Sequence, residues 1–323
     1  MSRAAGPGSS RAQSSRRVIV LAAAIAAAAV GAAATYAARA PAGRSAMSTL
    51  VPRTVSYLGV YEPAAPASYR QVSGFGAAVG RQPNVAGYFS GWSEPFQTAF
   101  AVAARRHGAA TLVQVDPTYA SVAGIAAGAY DDYLRSFADS VRTFGHPVII
   151  GFGHEMNAPW YSWGYGHVWP ATFIAAWRHL ITVFRSQGAD NVTWLWTIQA
   201  EGPTIGPIAA WWPGSEYVTW VGIDGYYYRP TDAFPAVFGG TIARVRALTG
   251  KPIVLSETAV GPAAGQPAKI QDLLRGLAAY QLLGLVWFDI GQHAGIYHQD
   301  WRIEDHQAAG QALRSGLRRY LRP

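Results

Sequence analysis

Residues 151–164, "GFGHEMNAPWYSWG", set a histidine and a glutamate side by side behind a hydrophobic run and follow them with two tryptophans and a tyrosine. A second glutamate, Glu257, closes the apolar run "PIVLSE" much later in the chain. Carboxyl groups placed in this way suit acid/base work on an uncharged substrate. One is kept protonated to release a leaving oxygen, and the other is ionised to attack or to activate water. Glycoside cleavage needs such a pair. Trp160, Trp163, Trp169, Trp211 and Trp287 then supply flat apolar faces on which sugar rings stack.

Other chemistries fit these residues less well. Position 158 is alanine, so His154 lacks the second histidine that a helical zinc-protease motif requires four residues on. The chain has no cysteine, which removes thiol catalysis, disulfides and thiolate metal ligation. Ser256 stands beside Glu257 without a histidine partner placed by the sequence, so an esterase or deacetylase ranks last. A carboxyl pair calls for no cofactor and no metal.

The elements that must position these groups are legible as alternation. Short apolar runs, "VSYLGVYEP", "VAGYFSGW", "ATLVQVDP", "PVIIGFGHE", "VTWLWT", "YVTWVGIDGY", "PIVLSE" and "GLVWFD", give eight candidate strands. Between them lie helix-spaced stretches such as Tyr130, Tyr133, Leu134, Phe137, Val141 and Phe144, or Ile270, Leu273, Leu274 and Leu277. Runs rich in Val, Ile and Leu fit parallel strands covered on both faces, and eight strand–helix units predict a closed (β/α)8 barrel. A doubly wound sheet would want a glycine-rich phosphate loop after its first strand, and none is present.

In such a barrel the active site lies at the C-terminal ends of the strands. The residues there are Glu62, Glu94, Asp116, His154, Glu155, Asn157, Asp224, Tyr226, Glu257 and Asp289. Asp116, Glu94 and Asp224 suit either sugar hydroxyls or contacts that support the glutamates. Near the end of the chain Leu313, Leu317 and Leu321 mark a closing helix.

The formal charge of +8 suggests a polyanion partner until its distribution is read. Seven arginines precede residue 54 without one acid among them, which leaves nineteen basic against eighteen acidic side chains in the body. A near-neutral body gives no basic face for nucleic acid. The first forty residues join arginines to an apolar run from Val18 and then to small residues around Ala38-Arg39-Ala40. They read as a signal peptide over 1–40, with an uncleaved membrane anchor through residues 18–38 as the competing reading. The pair Arg16-Arg17 also resembles a twin-arginine signal. A linker over 41–53 and a single catalytic domain over 54–323 follow, and the body is expected to be a secreted monomer.

"GHEMNAPWYSWG" resembles the fourth-strand motif of glycoside hydrolase family 26, the group that contains secreted endo-β-1,4-mannanases. The likeness runs on in order through "FIAAWRHLITVFRSQGADNVTWLWT", "WWPGSEYVTWVGIDGYYY", "KPIVLSETAVG" and "GLVWFDI", and so covers essentially the whole body. The resemblance implies that Glu155 is the acid/base, that Glu257 is the nucleophile, and that Tyr226 hydrogen-bonds the nucleophile. It also implies that Trp160 and Trp287 line sugar subsites. His154 matches the histidine before the acid/base, and Asn157, Trp163 and Asp116 join as supporting residues.

The expected reaction is retaining cleavage of internal β-linkages in a polysaccharide, with β-1,4-mannan first and mixed-linkage β-glucan or xylan next. A leader-anchored protein that binds or trims the cell's own exopolysaccharide is the alternative. One position departs from the family pattern: an arginine is common three residues before the histidine, and this chain has Gly151 there.

Overall fold

The structure is a computed structural model that describes residues 50, 55–262, 265–291 and 299–321. The leader over 1–40, the anchor reading over 18–38 and all of the 41–53 linker but Leu50 lie outside the described residues. Eight parallel strands close on themselves in sequence order: β1 (Tyr57–Tyr61), β2 (Val85–Gly91), β3 (Ala110–Asp116), β4 (Val148–Phe152), β5 (Val192–Gln199), β6 (Trp220–Asp224), β7 (Ile253–Thr258) and β8 (Gly284–Phe288). β1 and β8 share five residue pairs from Tyr57↔Gly284 to Tyr61↔Phe288, so the ring leaves no free edge.

The helices are α1 (Arg70–Val79), α2 (Thr98–Arg106), α3 (Val122–Ala126), α4 (Asp131–Phe144), α5 (Pro170–Ser186), α6 (Gly240–Leu248), α7 (Gln266–Ala279) and α8 (Gln307–Tyr320). Their burial follows the apolar spacing read from the sequence. α4 buries Leu134, Phe137 and Val141, α7 buries Ile270, Leu273, Leu274 and Leu277, and α8 buries Leu313 and Leu317.

Two apolar layers result. The barrel interior is filled by Tyr61, Val85, Leu112, Ile149, Leu195, Trp220, Val254, Leu283 and Val286, so the barrel is a packed core and not a pore. The larger layer lies between strands and helices and takes the alternate strand residues, including Val60, Val113, Ile150, Trp194, Trp196, Leu255 and Trp287. Among the described residues no helix is long and apolar enough to cross a membrane.

Candidate active site

The two glutamates reach the mouth by different local devices. After β4 the chain straddles both neighbouring strands: the Gly153 N–H donates to the Val115 carbonyl at 2.9 Å and the Glu155 N–H to the Thr197 carbonyl at 3.0 Å. Gly153 and Glu155 both have φ of 53°, and for a glutamate such a backbone costs about 1–3 kcal/mol that the surrounding bonds must offset. Glu155 therefore sits in a strained turn and not at the start of a helix, since the next helix begins at Pro170. Glu257 lies inside β7, where alternation alone would turn it outward after inward-facing Ser256. The register of β7 slips against both neighbours between Leu255 and Thr258, and this irregularity brings Glu257 to the mouth.

One carboxyl oxygen each of Glu155, Glu257 and Asp224 lie within 4.8 Å of one another, and all three residues are buried. The Tyr226 hydroxyl donates to Glu257 Oε2 at 2.7 Å. The Trp160 indole N–H donates to Glu155 Oε2 at 2.6 Å, while the rest of its ring is half exposed. Beneath them the Ser256 hydroxyl donates to Asp224 Oδ1 at 2.6 Å, so Asp224 supports the floor and does not face the opening.

Burial raises the Glu155 carboxyl above its ordinary value, against the pull of the His154 charge and the Trp160 hydrogen bond. Burial likewise pushes Glu257 up to about 8, with Glu155 adding to the shift and both His154 and Tyr226 opposing it. Two carboxyls this close share a proton near neutral pH, because each anion penalises the other. Asp224 is also pushed well above its usual range, by burial first and then by Glu257 and Glu155, and it adds no charge. His154 is lowered by burial, but the Asp116 carboxylate 2.8 Å from its Nδ1 outweighs this and raises it to about 9. The imidazolium is thus a fixed positive charge beside the pair. Its Nε2 meets the Tyr161 hydroxyl at 3.1 Å. Three clustered carboxyls are also close enough to hold a divalent cation. The charged His154 and the hydrogen bonds from Tyr226 and Trp160 favour protons over a cation as their counter-charge.

Not every residue picked from the sequence faces this opening. Trp287 is a correction: it is fully buried, it points outward from β8 between inward-facing Val286 and Phe288, and its indole N–H donates to the Trp301 carbonyl at 2.8 Å. Trp301, which the sequence does not mark for the site, stacks on Tyr226 with ring centroids 4.7 Å apart.

Trp163 and Asn157 act on the loop and not on a ligand. The Trp163 indole donates to the His154 carbonyl at 2.9 Å, and its ring lies buried 4.4 Å from Tyr161. Asn157 is fully buried and clamps Gln199 in both directions, donating to its carbonyl and accepting from its N–H, each at 2.9 Å. Trp211 is core, and the exposed Glu94 accepts from the Gly91 N–H at 3.0 Å as a loop cap.

Gln114 escaped the sequence reading, although a lone polar residue inside the apolar run of β3 was its signal. It faces Gly151 across the β3–β4 ladder. A Cβ on Gly151 would lie 1.8 Å from the Gln114 side-chain oxygen, so the carboxamide fills the space that a larger residue at 151 would need. Gln114 is held there by donating to the Thr197 hydroxyl at 3.0 Å. Phe89 and Phe288 complete the wall, Phe89 lying 5.3 Å from the His154 ring and Phe288 lying 5.8 Å from Tyr226.

A second carboxyl group lies apart from this site. Glu62, Asp289 and Glu304 gather at the β1–β8 seam, within 4.8 Å of one another. Burial raises Glu62 to about 8 and Asp289 to about 10, helped by the neighbouring acids.

A closed (β/α)8 barrel with two buried carboxyls meeting across its mouth has the architecture of a glycoside hydrolase. The sequence pattern of glycosyl hydrolase family 26 matches residues 107–309, and the chain belongs to that family. Endoglucanase H of Acetivibrio thermocellus is 26% identical over 263 residues, covering 76% of this chain and 29% of that protein. The β-1,3-xylanase TXYA of a Vibrio species is 29% identical over 140 residues, covering 40% of this chain and 29% of its own length. The chain thus spans about three-tenths of the length of these relatives. Among solved structures, Bacillus subtilis mannanase man26 superposes with a TM-score of 0.62 at 15% identity, covering 83% of this chain and 86% of that one. The Bacteroides ovatus β-mannanase BoMan26A gives 0.60 at 16% identity, covering 82% and 89%. At such identities these likenesses establish the fold.

Proposed function

We propose that the protein cleaves internal β-linkages of a neutral polysaccharide by double displacement, with Glu257 as nucleophile and Glu155 as acid/base. The observation that carries this reading is the approach of Glu155 and Glu257 to within 4.8 Å, oxygen to oxygen. Retaining enzymes hold their carboxyls about 5–5.5 Å apart, whereas inverting ones leave about 6.5–9.5 Å for a water between them. A Glu257 oxygen attacks the anomeric carbon as the bond to the leaving oxygen breaks, and the Glu155 proton passes to that oxygen. The resulting ester removes the Glu257 charge, so the Glu155 carboxylate takes a proton from the water that attacks the same carbon and frees Glu257. The Tyr226 hydrogen bond and the His154 charge favour the Glu257 anion before attack.

β-1,4-Mannan is the first substrate of choice. Gly151 and its filler Gln114 favour a second reading, a β-glucan or xylan, because the missing arginine at 151 is where this site departs from the mannanase-like pattern. Relatives named endoglucanase and β-1,3-xylanase support keeping both polymers in the test. We also propose that the protein is exported, on the strength of the arginine-bearing apolar leader.

The test is release of reducing sugar from β-mannan, mixed-linkage glucan, β-1,3-xylan and β-1,4-xylan, with Glu155→Ala and Glu257→Ala as controls and NMR of the first anomer formed. Turnover of one polymer that both substitutions abolish, with retained configuration, is expected. Turnover that survives both substitutions, or an inverted product, would sink the assignment.

A further inference from the structure

Between Glu155 and α5 the chain carries five aromatic side chains, Trp160, Tyr161, Trp163, Tyr165 and Trp169. Tyr161 and Trp163 are used inside the loop, and Trp160 reaches Glu155. Tyr165 and Trp169 are spent on neither task. Trp169 is 82% exposed and Tyr165 is 43% exposed. The large exposed hydrophobics among the described residues are Tyr119, Trp160, Tyr165 and Trp169, and all four follow β3 or β4 on the mouth side of the barrel. An indole left in water forgoes the burial of a large apolar face, so the clustering calls for an occupant.

Two of these rings, Tyr165 and Trp169, border a pocket of about 530 Å³, within the range of about 300–1,000 Å³ common for small-molecule sites. Tyr165, His167, Trp169, Pro170, Pro207 and Trp211 line it, and none of its lining residues belongs to the carboxyl site or carries a carboxylate, an ammonium or a guanidinium. The pocket is built rather than draped. The Tyr165 N–H donates to the Ala158 carbonyl at 3.0 Å, His167 Nε2 meets the Pro159 carbonyl at 2.9 Å, and the Gly206 N–H donates to the Asn157 carbonyl at 2.7 Å. The Tyr165 ring lies flush on Gly206, where an added Cβ would fall 2.6 Å from it. Asn157 in turn is clamped to Gln199, so this wall and the Glu155 turn share one rigid support.

We propose that this pocket is a second carbohydrate-binding site, holding a neutral pyranose of the polysaccharide chain against the faces of Trp169 and Tyr165, away from the carboxyl pair. The kind of ligand at hand follows from the glycan-cleaving function proposed above. The lining carries no carboxylate, ammonium or guanidinium to pair with a charged ligand, and its surface is mainly apolar ring and proline. It suits a ring with an apolar C–H face and hydroxyls at its edge, which the polar atoms of His167 and Tyr165 in the lining can meet. A polymer held there and cleaved elsewhere is kept near the mouth, while a short oligosaccharide gains nothing.

The test compares Trp169→Ala and Tyr165→Ala with the unaltered chain. Both side chains are exposed, so the variants keep the fold, checked by their unfolding midpoints. In a Glu257→Ala background, affinity electrophoresis through gels containing each of the four polymers should show retardation that weakens at least fivefold in Trp169→Ala. In the active background, kcat/KM on an aryl β-glycoside should stay within twofold while turnover of dilute polymer falls. Retardation equal with and without Trp169, or no retardation by any polymer, overturns the second site. Trp169-dependent retardation by an unaltered chain that hydrolyses nothing would instead sink the catalytic reading and leave this site standing.

Discussion

Tyr226 and Trp160 each give one hydrogen bond to one glutamate, and they act on opposite limbs of a pH profile. The Tyr226 bond favours the charged form of Glu257, so its loss in Tyr226→Phe raises that group further and moves the acidic limb of kcat/KM to higher pH. A hydrogen bond to a charged group contributes about 1.5–3 kcal/mol, so kcat/KM should fall by about 10- to 150-fold at the optimum. Trp160→Phe removes the donor that lowers Glu155, so the proton stays on longer and the alkaline limb moves up instead. A kcat/KM profile for each variant checks this. If Tyr226→Phe shifts the alkaline limb, the roles of the two glutamates are reversed.

At the scale of the element, the β3–β4 ladder and the β7 irregularity decide what the mouth holds. Gln114 occupies the room beside Gly151, and its amide is fixed on Thr197. Gly151→Ala should therefore overpack the floor and destabilise by about 1–3 kcal/mol in urea unfolding. Adding Gln114→Ala should recover part of that loss, because the clash is with one side chain and not with backbone. Equal losses in the single and double variants would show that the strand itself, and not the carboxamide, resists the methyl group. β7 is legible as an apolar run, yet its slip is not, since nothing in "PIVLSET" marks where alternation breaks.

Across the whole molecule the β1–β8 seam closes the barrel, and Glu62, Asp289 and Glu304 sit on it. Glu62 at about 8 and Asp289 at about 10 hold their protons in the folded chain, whereas an unfolded carboxyl releases its proton near pH 4. Their contribution to stability is thus full below about pH 4 and is lost as pH rises towards the folded values. The melting temperature should fall between pH 6 and pH 10. Asp289→Asn should flatten that fall, because its amide oxygen can still accept the Ile303 N–H that now bonds Asp289 at 2.7 Å. A melting series with the same slope in both proteins would place the alkaline loss elsewhere.

The sequence by itself determined the number and order of the strands, the helical faces and the two carboxyls at strand ends. These follow from local periodicity, and each strand's own residues carry its signal. It also named His154, Asp116 and Tyr226, which the barrel does bring to the carboxyl pair. Only the tertiary structure decided which aromatic rings face the mouth. Trp287 and Phe288 are neighbours in one strand, and a single step of alternation sends one into the core and the other to the wall. The same holds for the separation of Glu155 and Glu257, for Trp301 against Tyr226, and for Gln114 in the room beside Gly151. These are contacts between segments far apart in the chain, fixed by barrel closure and by a register slip, and no window of sequence contains both partners.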